Sequence, residues 1–465
     1  MMNKIDKLII NEFQSLGEDY WDFSDYKNGS ISHNIHNYPA VMIYPISKTI
    51  LSIVKKYKSL TTILDPFLGS GTVLLESMRA NIGISYGTDL NPLALLISKA
   101  KTTLLEKHEI FDLSQFKNNI VNMLIDKTIE IKAFGNYVRS IYDITEKTGW
   151  ADEAKVILNN YFDGKYDTSL LPKFSRLGFW FIPESLITLL LIKIEIQKLN
   201  PNLKYYYLIN VSFSEFIRYV SNTRNGEFKL YRIKKDKLNN LSFDYATIFS
   251  NILDKNIEKI IIASNELNAN LNVNIQYADC RFLTHIPDES IDIVITSPPY
   301  GDSGTTVAYG QFSRLSNEWL NVKDGISVDR NLLGGRKSKV TSISELQSDT
   351  LRKKYEEIAS VDVKRANEVI NFYMDLDAAI AEISLKTKKD GYHFWIVGNR
   401  TVKKIILPTD KIISELCENH GLQVLDYYYR NISNKVMPSQ NSPSNETGQK
   451  VDTMTKETII FLKKK

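Results

Sequence analysis

Two short stretches carry residue types whose spacing suits chemistry. The first is ILDPFLGSGT at 63–72, an apolar run that ends on Asp65 and leads into Gly69 and Gly71. Glycines let a backbone come close to a ligand, and the helix expected next points its positive N-terminus at an anionic group. Asp89 follows 24 positions after Asp65, at the tip of the next run, SYGTDL. A carboxylate roughly 20 residues beyond a glycine loop suits the two hydroxyls of a ribose. No Gly-Lys-Ser/Thr follows the loop, which excludes a phosphate-cradling nucleotide loop. A bare turn between strand and helix is the alternative for the glycines alone; the Asp65–Asp89 pair points instead to an adenosyl-type cofactor.

The second stretch is SIDIVITSPPY at 290–300, which ends on Ser297-Pro298-Pro299-Tyr300. Each proline lacks an N–H and fixes φ, so the pair stops a strand and stiffens the backbone. Most such pairs make only a stiff turn. At the C-terminal end of a strand, however, a hydroxyl and a carbonyl beside an aromatic ring suit a planar base with an exocyclic amino group. The acceptors take its N–H hydrogens and the ring stacks on its face.

The elements that must position these groups alternate between strand and helix patterns, with glycine at the turns. This predicts an α/β fold, a doubly wound and mostly parallel sheet in the Rossmann-like manner. Residues 1–103 hold the glycine loop and residues 271–465 the SPPY strand. The latter part reads as a long helix over about 360–388, the strand YHFWIVGN, a helix at 409–420, the strand LQVLDYYY, a mobile-looking MPSQNSPSNETGQ and a last strand ETIIFLKK. Between them, residues 104–270 have few glycines and 3.6-residue periodicity, best seen at 184–199 and 245–270, and read as a large helical insertion.

Composition bounds the rest. The chain has 465 residues, 43% hydrophobic and 24% charged, which excludes a disordered chain. A net charge of +4 permits a nucleic-acid partner without arguing for one. Cys280 and Cys417 lie far apart and His33 and His36 have no third ligand nearby, so no disulfide framework and no metal site is expected. The longest apolar stretch, 185–196, is too short and too charged to span a bilayer, so a cytoplasmic protein with no membrane association is expected.

DPFLGSGT together with TSPPY resembles the S-adenosylmethionine-dependent amino methyltransferases of DNA, the cytosine-N4 and adenine-N6 group. HNIHNYPAVMIYP at 33–45 resembles that family's cofactor-capping segment, with Tyr38 and Pro39 in it, and TMTKETIIFLKK resembles its terminal strand. The resemblance covers about 30–103 and 271–465 and implies a seven-stranded sheet. It implies that Asp65, Phe67, Gly69, Gly71 and Thr72, with Pro66 and Ser70 of the same turn, surround the methionine part of S-adenosyl-L-methionine. Asp89 would hold the ribose and Asp279 the adenine amino group, while Ser297, Pro298, Pro299 and Tyr300 would hold the target base. The 190 positions between Asp89 and Asp279, where the uninterrupted fold needs one helix, are a departure that leaves the target-reading region open.

Methylating a ring carbon of cytosine needs a cysteine nucleophile. Neither cysteine fits, which leaves direct transfer to an exocyclic nitrogen of a base flipped out of double-stranded DNA. For DNA contact the run 212–237 interleaves Arg218, Arg224, Lys229, Arg232, Lys234 and Lys235 with Phe and Tyr. The stretch 301–320, with Gln311 and Arg314, reads as a loop over the target base. A solvated charged face and a simple lid are the respective alternatives. Ser297 favours cytosine N4; adenine N6, an RNA guanine-N2 enzyme and an inactive DNA-binding relative are the alternatives. The resemblance also implies a restriction-modification or defence setting, with a cognate restriction endonuclease as partner.

Overall fold

The computed structural model describes residues 2–26, 31–173, 176–224, 228–301, 307–335, 346–432, 440–441, 451–452 and 456–465. Strands covered on both faces read as unbroken apolar runs, and the sheet is built around such runs. Its strands are β1 (Thr62–Asp65), β2 (Ile84–Asp89), β3 (Asn272–Tyr277), β4 (Ile291–Thr296), β5 (Thr387–Gly398), β6 (Leu422–Asn431) and β7 (Lys456–Lys464). They lie in the order β3-β2-β1-β4-β5-β7-β6. Strands β1 to β5 run parallel, and β7 runs antiparallel between β5 and β6. The expected seven-stranded, mostly parallel, Rossmann-like sheet is therefore present. Chain order reverses between β1 and β4, and a cleft opens beyond the carboxyl ends of strands at such a point.

Alternate side chains feed two cores. Leu64, Val294, Trp395 and Ile460 pack under the helices Val363–Lys386 and Thr409–Asn419. Ile63, Ile293, Phe394 and Phe461 face the other way, against the helices Lys4–Ser15 and Tyr44–Tyr57. Each such side chain contributes about 1.5–3 kcal/mol of burial free energy, which locks the register of β4 and hence the place where Ser297 emerges.

Residues 104–270 form a helical unit whose main members are Lys107–Asp126, Thr128–Ile141, Trp150–Tyr161, Pro183–Gln197, Tyr206–Tyr219 and Tyr245–Glu266. Pro183–Gln197 is apolar on nearly every side, as befits the helix the others surround. Their core continues into Leu93 and Ile97 of the helix Pro92–Thr102 and into Phe312, Leu315 and Trp319. Those last three belong to a helix, Tyr309–Leu320, where the sequence reading expected a loop. Burial of Phe312, Leu315 and Trp319, each about one turn from the last, drives the helix and overrides the glycine and serine content around it. Residues 302–306 and most of the polar tail expected to be mobile lie outside the described residues. Among the described residues no helix is long and apolar enough to cross a membrane.

Candidate cofactor and base site

The glycine loop is shaped by its glycines. Gly71 caps the helix Thr72–Arg79 with φ +79°, and a Cβ there would stand 2.7 Å from Ser98 Oγ. That close approach lets Ser98 donate to the Gly69 carbonyl at 3.0 Å. From beneath, the buried Lys101 amine donates to Ser70 Oγ at 3.2 Å, and burial pulls its pKa down to about 7. The loop's Gly69 N–H donates to Asp89 Oδ2 and the Asn91 N–H to Asp89 Oδ1, each at 2.8 Å. Asp65 at the end of β1 accepts from Thr296 Oγ1 at 2.7 Å and from the Phe67 N–H at 3.2 Å. Burial pushes Asp65 up to about 7 and Asp89 up to about 6 despite these bonds. Two carboxylates whose charge is this poorly compensated suit a ligand that brings hydroxyl donors and positive charge.

Both open into one cleft with about 880 Å³ of non-atom space, solvent included. Pro66, Phe67, Gly69, Ser70 and Thr72 line its loop side, and Asp279 lines the side beyond β3. Gly71 sits behind the wall, against Ser98. Tyr38 also lines the cleft, and its hydroxyl accepts from Asn91 Nδ2 at 2.9 Å while its ring stacks on Tyr309 at 6.0 Å. Pro39 does not line it, although Ala40, Val41 and Met42 do. Volume, apolar lining and three converging carboxylates fit an adenosyl cofactor. Cys280 lies on the same wall, and burial pushes its thiol far above the usual range, so it offers no thiolate near neutral pH.

At the far side of the cleft Ser297 and Pro299 complete the wall. Ser297 Oγ donates to the Ile396 carbonyl of β5 at 3.1 Å, so its proton is committed and its lone pairs are left to accept. Pro298 is buried within the turn. Tyr300 is beside the cleft, not on its wall, and its hydroxyl donates to Glu457 Oε1 at 2.8 Å. Glu457 Oε2 in turn accepts from Arg430 at 2.7 Å. The chain then passes Gly301, where a Cβ would meet the Arg400 guanidinium.

Four of the cationic residues of 212–237 divide by burial. Arg218 is turned inward: it donates to the Phe312 carbonyl at 3.1 Å and lies 4.0 Å over the Phe312 ring, and burial lowers its pKa to about 10. Arg232 donates to the carbonyls of Thr145 and Ile144, at 3.1 Å each, and covers the Phe179 ring at 4.1 Å. These two corrections share a cause, since a guanidinium that ties helices together by backbone carbonyls is not displayed to a phosphate. Arg224 and Lys229 are exposed. Phe228 between them packs 5.8 Å from Phe312, which sets this strip against the helix Tyr309–Leu320. Gln311 and Arg314 are exposed on that helix, one turn apart, while Tyr309 at its start lines the cleft. Sequence reasoning missed Asn91, Tyr309, Leu332, Leu333 and Glu457. Asn91-Pro92 is a helix-cap signature directly after Asp89, but nothing near Glu457 announces a contact 157 residues away.

No family model matches the chain. It is 38% identical, over an alignment of 484 residues covering 100% of this chain and 96% of the relative, to the Type II methyltransferase M.MvaI of Kocuria varians. Two solved structures of the rRNA methyltransferase aviRa from Streptomyces viridochromogenes align over 94% and 92% of this chain, and 90% and 88% of theirs. Both are 8% identical, and TM-scores of 0.28 and 0.26 carry no argument.

Proposed function

This chain belongs to the Type II methyltransferases, and we propose that it methylates the exocyclic amino group of a base flipped out of double-stranded DNA, with cytosine N4 as the target. The observation that carries this reading is that Asp65, Asp89, Asp279 and Ser297 open into a single cleft. S-adenosylmethionine supplies an electrophilic methyl group on a positively charged sulfur. In the proposal Asp89, already aimed by two backbone N–H groups, accepts from the ribose hydroxyls, and Asp279 accepts from the adenine amino group. Asp65, Phe67 and Thr72 surround the methionine part, and the buried charge of Asp65 favours a cation.

An exocyclic amine is a poor nucleophile because its lone pair is conjugated into the ring. Ser297 Oγ, whose proton is held by Ile396, and the Pro298 carbonyl would each accept one amine hydrogen. That favours a pyramidal nitrogen with its lone pair free, and the rigid prolines hold both acceptors in place. Tyr300, which stands beside the cleft, would supply the ring that stacks on the flipped base. Flipping costs a few kcal/mol, offset by phosphate contacts that we assign to Arg224 and Lys229, with Gln311 and Arg314 facing the bases. The setting we propose is a restriction-modification system with a cognate endonuclease.

The cytosine choice rests on the short neutral acceptor at Ser297, where a longer carboxylate or amide side chain suits adenine. Mass spectrometry of nucleosides from DNA methylated by the protein tests it. N4-methylcytosine is the expected product. N6-methyladenine alone would overturn the choice of base, and no methylated base would overturn the proposal.

A further inference from the structure

Asp279 is not a free carboxylate. The Arg281 backbone N–H donates to its Oδ1 at 3.0 Å, Arg281 Nε to the same oxygen at 2.9 Å, and a terminal guanidinium nitrogen to Oδ2 at 2.6 Å. The other terminal nitrogen of Arg281 donates to Asp375 Oδ1, on the helix Val363–Lys386. Asp375 Oδ2 then accepts the Gly334 N–H at 2.8 Å. Gly334 directly follows Leu332 and Leu333, which line the cleft. One guanidinium thus spans two carboxylates, and the second carboxylate holds the backbone next to the cleft-lining Leu332 and Leu333. The other end of that wall segment is fixed as well, where Asp329 Oδ1 accepts the Gly310 N–H at 2.9 Å, next to Tyr309.

We propose that Arg281 and Asp375 are positioning residues for the cofactor: they orient Asp279 toward the adenine amino group and brace Leu332 and Leu333 over the same end of the cleft. The proposal rests on the assignment of Asp279 to the adenine amino group. Two features of the chemistry support it. A carboxylate offers about four acceptor positions, so Asp279 held by Arg281 on one side retains a lone pair for an incoming amine. A planar guanidinium can address two carboxylates at fixed angles, which a lysine ammonium cannot do. The brace therefore pre-orders both the polar and the apolar contact of a ring that would otherwise have to order them on binding.

The test compares cofactor binding by calorimetry with turnover at saturating DNA for the wild type, Asp279→Asn, Arg281→Lys, Asp375→Asn and Asp375→Ala. Asp375→Asn keeps one acceptor oxygen where two are needed, so it opens the bridge with little change of volume. We expect Arg281→Lys and both Asp375 variants to weaken cofactor affinity roughly tenfold, about 1.4 kcal/mol, with kcat at saturating cofactor within about twofold of wild type. Thermal unfolding without cofactor serves as the control for folding. Unchanged cofactor affinity in Arg281→Lys and Asp375→Asn, with Asp279→Asn impaired, would overturn the brace. Unchanged affinity in Asp279→Asn would overturn the assignment of Asp279 instead. Full cofactor affinity in Arg281→Lys with a loss in both Asp375 variants would also sink the bridge, because it would reduce the role of Arg281 to simple positive charge.

Discussion

The cleft and the helical insertion both bury charge, and they do so in opposite ways. Among the acids that line the cleft are Asp65 and Asp89, whose pKa values burial pushes up to about 7 and about 6, and the hydrogen bonds from Thr296 and from backbone N–H groups offset this only in part. In and beside the insertion the basic side chains of Arg218, buried, and Arg232, half-buried, are held by backbone carbonyls, which ties the helices together. An incompletely satisfied buried charge marks a place prepared for a ligand, whereas a satisfied one marks a place prepared for packing. The difference also sorts the surface, because it leaves Arg224, Lys229 and Arg314 as the exposed cations next to the cleft-lining helix.

Asp89→Ala should break the comparison on the cleft side most severely. Losing an oriented carboxylate that accepts from two hydroxyls costs about 3 kcal/mol, so calorimetry should show cofactor binding weakened roughly 100-fold. Retained affinity would remove Asp89 from the ribose contact. Ser297→Ala comes next. Cofactor affinity should be unchanged, while single-turnover methylation slows by roughly 10- to 100-fold, the size of one hydrogen bond made in the reacting complex. A loss of cofactor affinity of the same size would place Ser297 on the wrong side of the site.

On the insertion side, two sets of arginine and lysine changes should separate cleanly. Replacing Arg224 and Lys229 by alanine should leave thermal stability intact and flatten the salt dependence of DNA binding by about 0.9 in log–log slope per lost phosphate contact. Arg218→Ala should do the reverse. It removes the guanidinium's hydrogen bond to the Phe312 carbonyl and its cover over the Phe312 ring, so denaturant unfolding should report about 2 kcal/mol lost. If Arg218→Ala instead changed only the salt slope, the division by burial would fail.

The smallest effect expected is on pH. Asp65 and Asp89 have folded-state pKa values above the ordinary carboxylate range, so the folded protein binds more protons than the unfolded one between about pH 4 and 7. Their contribution to the stability of the empty protein therefore falls as pH rises through that window. A cationic cofactor prefers the ionised carboxylates, so its affinity should rise over the same window. The thermal shift given by cofactor should accordingly be a few-fold weaker in apparent affinity at pH 5.5 than at pH 8. An equal shift at both values would mean that neither carboxylate faces the cofactor.

How far the sequence reaches differs between the same two regions. Asp65, the glycines, Asp89 and SPPY were legible because each depends on its immediate neighbours: a strand end, a turn that needs positive φ, a pair of prolines. Short-range constraints of this kind leave their mark within a few residues. The mostly parallel sheet followed as well, since largely apolar runs such as Ile291–Thr296 must be covered on both faces. The tertiary structure alone decided which cations face outward, because Arg218 and Lys229 have the same charge and similar neighbours in sequence and differ only in what packs over them. It also decided that Phe312, Leu315 and Trp319 turn an expected loop into a helix, and that Arg281, Asp375 and Gly334 meet beside Asp279. Contacts between residues dozens to hundreds of positions apart depend on how helices and strands pack, and packing is set by the whole core at once.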